Sequence, residues 1–323
     1  RPTGLLLERA VELVQQLLPP PERADWLRGL ELLARAGYTA AHAMADGPAE
    51  ALHWAEALAR DEALPLRLYW AIRPEELDQV EPGWRGSQLD VAAVKLFADG
   101  ALGSQTAWMR EPYADGRTGI VADSPARIRA IGERAAKAGF TLAVHAIGDQ
   151  AVASVVRVFR ELGPMAPAPL RVEHAQHLAE ETLKLLVEPI AVSLQPLHLP
   201  GDVPLIHKLL PGRQGDAYRF ADLAATGLPM AFGSDAPVVP PDAAGAIQVA
   251  TSHPLSPNQS LTEEQAIEAF TRGAARAAGW SDSGTIAASR RADLTLWEQG
   301  RPVARVFEGR LEPCADAAQL GSS

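Results

Sequence analysis

The sequence predicts an α/β fold in which parallel strands form a barrel surrounded by helices, and two observations support this prediction. Seven apolar, strand-forming runs alternate with segments of helical periodicity along most of the 323 residues. No phosphate loop of the GxGxxG or GxxxxGKS/T type follows any of these runs, which disfavours the alternative of a doubly wound nucleotide-binding sheet. A closed barrel needs eight strands, so we expect the first strand to lie upstream of Arg1.

Each predicted strand is a short apolar run, rich in β-formers, between polar or turn-forming residues. The seven predicted strands are Tyr38–Met44, Leu66–Ala71, Val91–Phe97, Phe140–His145, Leu170–His174, Ile190–Gln195 and Leu228–Gly233.

Apolar residues between the strands repeat with helical spacing. Ser124-Pro125 is typical of a helix start, because a Ser side chain caps the first turn and Pro fits it. Gly139 and Gly227 stand where helices should end, just before the next strand. The predicted helices are Arg127–Ala138, Gln150–Leu162, Glu180–Val187, Ala217–Ala225 and Thr262–Ala278.

Short β-rich segments follow the last helix, at Gly284–Ala287, Ala292–Trp297 and Pro302–Phe307. We therefore expect a barrel over residues 1–280 and the C-terminal part of a small β-sandwich over residues 281–323. The opening segment has helical periodicity, no cleavable signal pattern and no initiator Met, so we expect the chain to be a fragment whose true beginning lies upstream.

The composition disfavours several classes of partner. A net charge of −10 and a pI near 5.3 disfavour nucleic acid and anionic membranes. The one cysteine, Cys314, cannot form an internal disulfide and fits a reducing compartment. No apolar run reaches the roughly 20 residues needed to span a bilayer. We expect a cytoplasmic protein with a small-molecule substrate, and a homo-oligomer remains open.

Four residues that can bind a metal or carry a proton stand at or just beyond the ends of predicted strands: Lys95, His145, His174 and Asp235. The carboxyl ends of barrel strands meet at one mouth. Imidazoles and a carboxylate are suitable ligands for zinc and similar ions, which activate water and polarise carbonyl groups. The pattern therefore predicts a metal-dependent hydrolase.

Lys95 lies in an apolar strand, where an unpaired ammonium group would be costly. It either pairs with a carboxylate or loses its proton and becomes reactive. A neutral lysine can add carbon dioxide to give a carbamate, an anionic ligand able to bridge two metals. Both interpretations stay open at this point.

Four motifs, in order, resemble the amidohydrolase superfamily and specifically amidohydrolase family 3, which includes enzymes like N-substituted formamide deformylase. They are VKLFADGALGSQTA, LAVHAIGDQAV, RVEHAQH and AFGSDAPV, and the later GTIAASRRADLTLW resembles the family's return into a β-sandwich. The resemblance implies a TIM-like (β/α) barrel with a small β-sandwich module. It also implies a metal centre with one or two divalent ions, zinc being the expected metal.

The same resemblance implies roles for individual residues. Lys95 matches the strand-four lysine, which is often carboxylated and bridges two metals. His145 and His174 match the strand-five and strand-six ligands, and Asp235 matches the strand-eight aspartate, both a ligand and the general base. A carboxylate beside the metal can take the proton of the attacking water without leaving the site.

One family feature is missing, because none of the eight histidines forms the His-x-His pair that ends the first barrel strand. The N-terminal strands of the sandwich are also missing. A missing upstream segment explains both absences. The alternative is a degenerate, metal-free homologue, which would require two separate losses.

Three further residues are predicted to bind substrate. His198 and Gln195 follow the seventh predicted strand near the mouth, and Asp99 follows Lys95 in a loop that lines the pocket. A role in loop packing is the alternative for His198 and Gln195. Strand alternation predicts that Glu173 points away from the site towards the helices, and His177 is expected to contact solvent or groups that support the ligands.

These expectations describe a hydrolase that cleaves the C–N bond of an amide, formamide or cyclic amide with metal-activated water and Asp235 as the base. One alternative is a related barrel that acts on an ester or lactone, or as a deaminase. A second alternative is a non-catalytic, metal-free binding or regulatory protein. Barrel folds host many reactions, so the fold alone does not decide among them.

Overall fold

The computed structural model describes residues 14, 17–19, 21–45 and 47–314. Seven parallel strands form one curled sheet in the order β1-β2-β4-β5-β6-β7-β8, and β3 pairs antiparallel with β4. Within the described residues β8 does not pair with β1, so the curled sheet is open between them. The strands are β1 Ala40–Ala43, β2 Arg67–Ile72, β3 Gly83–Arg85, β4 Leu89–Phe97, β5 Thr141–Ala146, β6 Leu170–His174, β7 Ile190–Leu194 and β8 Met230–Phe232.

Helices connect the strands, as the alternating pattern predicts, and the TIM-like barrel fold is confirmed. The Ser124 side chain caps α3 by accepting from the backbone N–H of Arg127, and Gly139 ends it in the left-handed conformation. The α-helices are α1 Arg23–Arg35, α2 Ala51–Arg60, α3 Pro125–Ala138, α4 Asp149–Leu162, α5 Glu180–Leu183, α6 Leu199–Leu209, α7 Phe220–Ala225, α8 Ala243–Thr251, α9 Glu263–Glu268 and α10 Ala274–Ala277.

The outer face of the sheet forms the main apolar core with the helices. Val144 and Val172 on this face are fully buried in one cluster with Val155 and Phe159 of α4. Burial of each such side chain contributes roughly 1.5–3 kcal/mol to folding. This core holds the strands in register, and the register determines which residues share the inner face.

The inner face carries small and polar side chains. Residues paired in register in a parallel sheet point to the same face, and the pairing aligns Lys95 with Ala143, Ala143 with Arg171 and Arg171 with Ala191. Ala93 and Ala143 pack in a buried cluster with Ala275 of α10. A second row, nearer the strand ends, consists of Phe97, His145, Glu173, Ser193 and Ala231.

The N-terminal ends of β2 and β4 are tied to the segment that follows α10. The guanidinium of Arg67 lies 4.2 Å and 4.3 Å from the ring centroids of Trp84 and Trp280 and pairs with Asp282. The indole N–H of Trp280 donates to Asp90 at 2.7 Å. These contacts join the starts of β2 and β4 to this segment.

A three-stranded antiparallel sheet lies beside the barrel, in the order β11-β10-β9. Its strands are β9 Leu294–Glu298, β10 Arg301–Phe307 and β11 Arg310–Pro313. The Thr295 hydroxyl and the Arg305 guanidinium donate to backbone carbonyls just before β1. A β-sandwich module is thereby confirmed in part, while its division from the barrel at residues 280 and 281 stays a prediction.

The predicted strand Gly284–Ala287 is wrong, because this segment is a loop. Gly284 has a φ of +79°, and a side chain there would meet the backbone of Arg272 at 2.7 Å. The chain therefore turns where the apolar composition suggested extension. The opening segment, whose sequence has helical periodicity, lies mostly outside the described residues. Among the described residues, no helix is long and apolar enough to cross a membrane.

Candidate metal centre at the strand ends

A cavity of about 2300 Å³ opens at the carboxyl ends of the parallel strands. Lys95, His145, His174 and Asp235, the four residues singled out in the sequence, line it together with His198. Residues far apart in the chain meet there because the parallel strands all run towards the same mouth.

Three of these side chains form a compact set of metal donors. One ligand atom from each of His174, His198 and Asp235 lies within 4.8 Å of the other two. His198 Nε2 lies 3.7 Å from Asp235 Oδ2. This spacing allows the three side chains to reach one ion.

Unusual backbone conformations place two of the three donors. His174 has a φ of +76°, the next residue Ala175 has +43°, and Asp235 has +60°. Left-handed backbone at residues other than Gly costs on the order of 1 kcal/mol or more each and concentrates at functional sites. At His174 the turn breaks strand alternation, so His174 and Glu173, although adjacent, both line the cavity.

Gln195 orients His174. His174 Nδ1 lies 2.7 Å from Gln195 Oε1, and because an amide oxygen only accepts, Nδ1 carries the proton. The lone pair of the ring is then on Nε2, as a metal ligand requires. Burial, with the nearby charges of His145, Lys95 and His198, holds the pKa of His174 well below its usual value. His174 is therefore neutral and able to coordinate.

His145 and Lys95 line the same cavity as these three donors. The ring centroids of His145 and His174 are 4.5 Å apart. His145 Nε2 donates to the carbonyl of Gly100 at 3.1 Å, which leaves the lone pair of its ring on Nδ1. Lys95 is buried, with Nζ 4.4 Å from the centroid of the Phe97 ring.

The structure places Asp99 behind His145. Its carboxylate accepts from the backbone N–H groups of Trp108, Ile147 and Gly148, and one oxygen lies 3.5 Å from His145 Nε2. Burial raises the pKa of Asp99 to about 7, although the three hydrogen bonds oppose this rise. Asp99 does not line the cavity with the other predicted residues. Its predicted contact with substrate thus stays a prediction, and the geometry gives it a positioning role.

Two minor expectations about neighbouring residues are wrong. Glu173 does not face the helices, because it shares the inner face with His145, its register partner, and pairs with Arg171 at 2.9 Å. Arg171 also donates to His42 Nδ1 at 2.8 Å, from β1 across the barrel. His177 does not contact solvent: it is 1% exposed, and neither ring nitrogen has a hydrogen-bond partner in the described structure.

His198 and Gln195 both line the cavity, and the substrate contact predicted for each stays a prediction. His198 ends a short 3₁₀ turn, Pro196–His198, directly before α6. Its position after a strand was a usable signal, but only the turn geometry brings its ring beside Asp235. His198 Nε2 is buried and has no hydrogen-bond partner in the described part of the chain.

The residues present fit a divalent ion. Two neutral imidazoles and a carboxylate are a donor set that zinc prefers. A buried ring nitrogen without a partner is costly in an empty apolar setting and is stabilised by a ligand. The His-x-His pair of the family is absent from this sequence, so the described donors are these imidazoles, Asp235 and Lys95.

The chain is similar to several known proteins. YtcJ of Bacillus subtilis strain 168, which carries the name amidohydrolase, is 30% identical over 321 residues, covering 91% of this chain and 60% of that protein. Imidazolonepropionase of Cereibacter sphaeroides strain ATCC 17029 is 32% identical over 235 residues, covering 69% and 52%. An uncharacterised metal-dependent hydrolase from Pyrococcus horikoshii OT3 has a similar structure, with a TM-score of 0.78 at 26% identity, covering 88% and 61%.

The chain therefore spans between about half and three fifths of the length of these relatives. The family model described as amidohydrolase family, the third of that name, matches residues 1–310. Because this match extends over nearly the whole chain, the protein belongs to amidohydrolase family 3.

Proposed function

We propose that this protein is a metal-dependent hydrolase that cleaves the C–N bond of an amide, formamide or cyclic amide. The observation that carries the proposal is the convergence of His174, His198 and Asp235 within 4.8 Å at the strand ends. Membership of the amidohydrolase family and the structural likeness to a metal-dependent hydrolase support it.

In this proposal His145, His174, His198 and Asp235 hold one or two divalent ions, with zinc as the expected metal. Lys95, as a carbamate, is the additional anionic ligand. When bound, such an ion polarises the substrate carbonyl and lowers the pKa of water towards ~7. His174 is buried and neutral, and its Nδ1 donates to Gln195. The ring is therefore in the orientation and protonation state of a metal ligand before an ion binds.

Asp235 is the general base that transfers a proton from the attacking water to the leaving nitrogen. Its side chain is 36% exposed, against 11% for His198, so it faces the open part of the cavity where water enters. As the water oxygen bonds to the carbonyl carbon, Asp235 takes a proton from the water and then gives it to the leaving nitrogen. The C–N bond breaks and leaves a carboxylic acid and an amine, which stay joined in one molecule when the substrate is a cyclic amide.

Replacement of Asp235 tests this role. We expect Asp235→Asn in the zinc-loaded protein to lower kcat for an N-alkylformamide by at least about 100-fold, because Asn cannot take the proton. Asp61→Asn, a matched change at the exposed surface, should retain the wild-type rate. The zinc content of each variant, measured in parallel, separates loss of the base from loss of the metal.

Unchanged hydrolysis in Asp235→Asn would refute the assigned mechanism. A wild-type protein that holds no metal and cleaves no amide would instead match the metal-free binding protein. Cleavage of esters or lactones, or deamination, in preference to amides would indicate the related barrel activities.

A further inference from the structure

A second carboxylate on the cavity wall, Asp202, is not used by the proposed reaction. It lies four residues after His198 at the start of α6, so the two side chains share one face of the helix, about 6 Å apart along its axis. Both line the cavity. Asp202 is therefore placed to contact the part of a substrate that extends beyond the reacting carbonyl.

A buried network fixes the Asp202 carboxylate. The Tyr218 hydroxyl donates to Asp202 Oδ2 at 2.5 Å, and the Gln176 amide donates both to this oxygen at 3.3 Å and to the Tyr218 hydroxyl oxygen. Tyr218 is 1% exposed and Gln176 is 4% exposed. Because both donors are locked by packing, Asp202 is held in one orientation.

The network provides hydrogen bonds to only one of the two carboxylate oxygens of Asp202. Both hydrogen bonds go to Oδ2, and within the described chain neither a partner for Oδ1 nor an ion pair to Asp202 is formed. Burial raises the pKa of Asp202, while the Tyr218 hydrogen bond opposes the rise. A partly buried carboxylate such as Asp202 is stabilised by a charged N–H donor.

We propose that Asp202 selects substrates that carry a cationic amine about one helical turn from the scissile C–N bond. The proposal rests on the proposed hydrolase function, which places the reacting carbonyl beside His198 and Asp235. The ammonium group donates to Asp202 Oδ1, while Tyr218 and Gln176 hold Oδ2. Substrates with a neutral chain of equal length lack this contact.

Two formamides of matched length test the selection. N-(3-aminopropyl)formamide carries the ammonium group, and N-butylformamide replaces it with methyl. We expect wild-type kcat/KM to favour the cationic substrate by at least about 10-fold, and Asp202→Asn to lower this ratio by about 10- to 100-fold, the usual weight of a hydrogen bond to a charged group. Asn retains the shape and accepts the Tyr218 hydrogen bond.

The control is Asp78→Asn, which removes the same charge from a side chain that is 81% exposed and lies outside the cavity. It should keep the wild-type ratio. The same ratio in Asp202→Asn as in wild type, or no preference in wild type, overturns the inference and leaves the hydrolase proposal intact.

If wild type cleaves neither formamide, that result counts against the hydrolase proposal itself. In that case the binding of n-butylammonium, measured by calorimetry, tests the inference about Asp202. Binding to wild type at least about 10-fold tighter than to Asp202→Asn supports Asp202 as the cation site. Equal binding to the two proteins overturns it.

Discussion

At the scale of single residues, the site depends on side chains whose hydrogen bonds and backbone fix them before any ligand binds. Left-handed backbone at His174 and Asp235 directs both side chains into the cavity. Gln195 then fixes the tautomer of His174. The chemistry of the donors is therefore set by neighbours as much as by the donors themselves.

Removal of the Gln195 amide tests this dependence. We expect Gln195→Leu to weaken zinc binding by about 10- to 100-fold, because His174 loses the partner that keeps its proton on Nδ1. Competition against a chromophoric chelator measures the affinity. Gln79→Leu, the same change at an exposed position, should bind zinc like wild type. Equal affinity in Gln195→Leu would mean that His174 needs no orienting partner.

Burial of the neutral His177 side chain predicts that the folded state loses stability at acid pH. Burial, with a contribution from the charge of Arg213, lowers the pKa of His177 to about 4, whereas an unfolded His titrates near 6.5. The unfolded state then binds more protons between these values, so stability is complete above pH ~6.5 and falls as the pH drops towards ~4. Between pH 7 and pH 5 the loss attributable to His177 is about 2 kcal/mol.

Urea unfolding at the two pH values measures this loss. His177→Met should lose less stability between pH 7 and pH 5 than wild type, by about 2 kcal/mol. His53→Met, at a side chain that is 80% exposed, should lose as much as wild type. An equal loss in His177→Met and wild type would show that His177 is not buried in its neutral form.

The site residues differ in how far the sequence could predict them. Lys95, His145 and Asp235 follow from their positions at strand ends, and all three line the cavity as predicted. The orientation of Glu173 could not be predicted, because alternation fails where His174 adopts a positive φ. His198 acquires its contact with Asp235 through the 3₁₀ turn before α6, a geometry that no local pattern specifies.

At the scale of elements, close backbone contacts place the loops around the site. Gly148 precedes α4, and a Cβ there would lie 2.1 Å from the carbonyl oxygen of Trp108. Backbone N–H groups of residues 150 and 151 donate to that same carbonyl. The start of α4 is thereby fixed to the loop that Asp99 also holds.

A side chain at Gly148 should separate these two segments. We expect Gly148→Ala to lower the free energy of unfolding by roughly 2–4 kcal/mol, because backbone atoms cannot yield as a flexible side chain does. Gly201→Ala is the matched control: it lies in α6 with nothing within 4 Å of its Cβ, and should be neutral or stabilising. Urea unfolding of both variants gives the comparison. A Gly148→Ala protein as stable as wild type would contradict this packing.

The elements themselves were largely predictable, because strand and helix periodicity is a local property. All seven predicted barrel strands are confirmed, with ends that differ by a few residues, whereas the strand predicted at Gly284–Ala287 is a loop. The helix predicted over Glu180–Val187 ends already at Leu183, and the one predicted from Ala217 begins at Phe220. Tertiary contacts decide such ends; for example, residue 217 forms a β-bridge with His177 instead of starting the helix.

At the scale of the whole molecule, the two ends of the barrel carry different kinds of side chain. At one end the guanidinium of Arg67 lies over the rings of Trp84 and Trp280, and the indole N–H of Trp280 donates to Asp90. The other end is open and gathers the polar residues of four strands around the cavity. The alternation of strands and helices predicted this architecture, but the contacts of Trp280 join it to residues about 200 positions away, which no local pattern indicates.

The central claim is that these strand ends form a divalent metal site, and zinc binding to the purified protein tests it most directly. Competition with a chromophoric chelator should show stoichiometric zinc bound to wild type and to His53→Gln, at least about 100-fold tighter than to Asp235→Asn or His198→Gln, since each of the latter removes one ligand. Absence of zinc from wild type, or equal affinity in all four proteins, would contradict the claim.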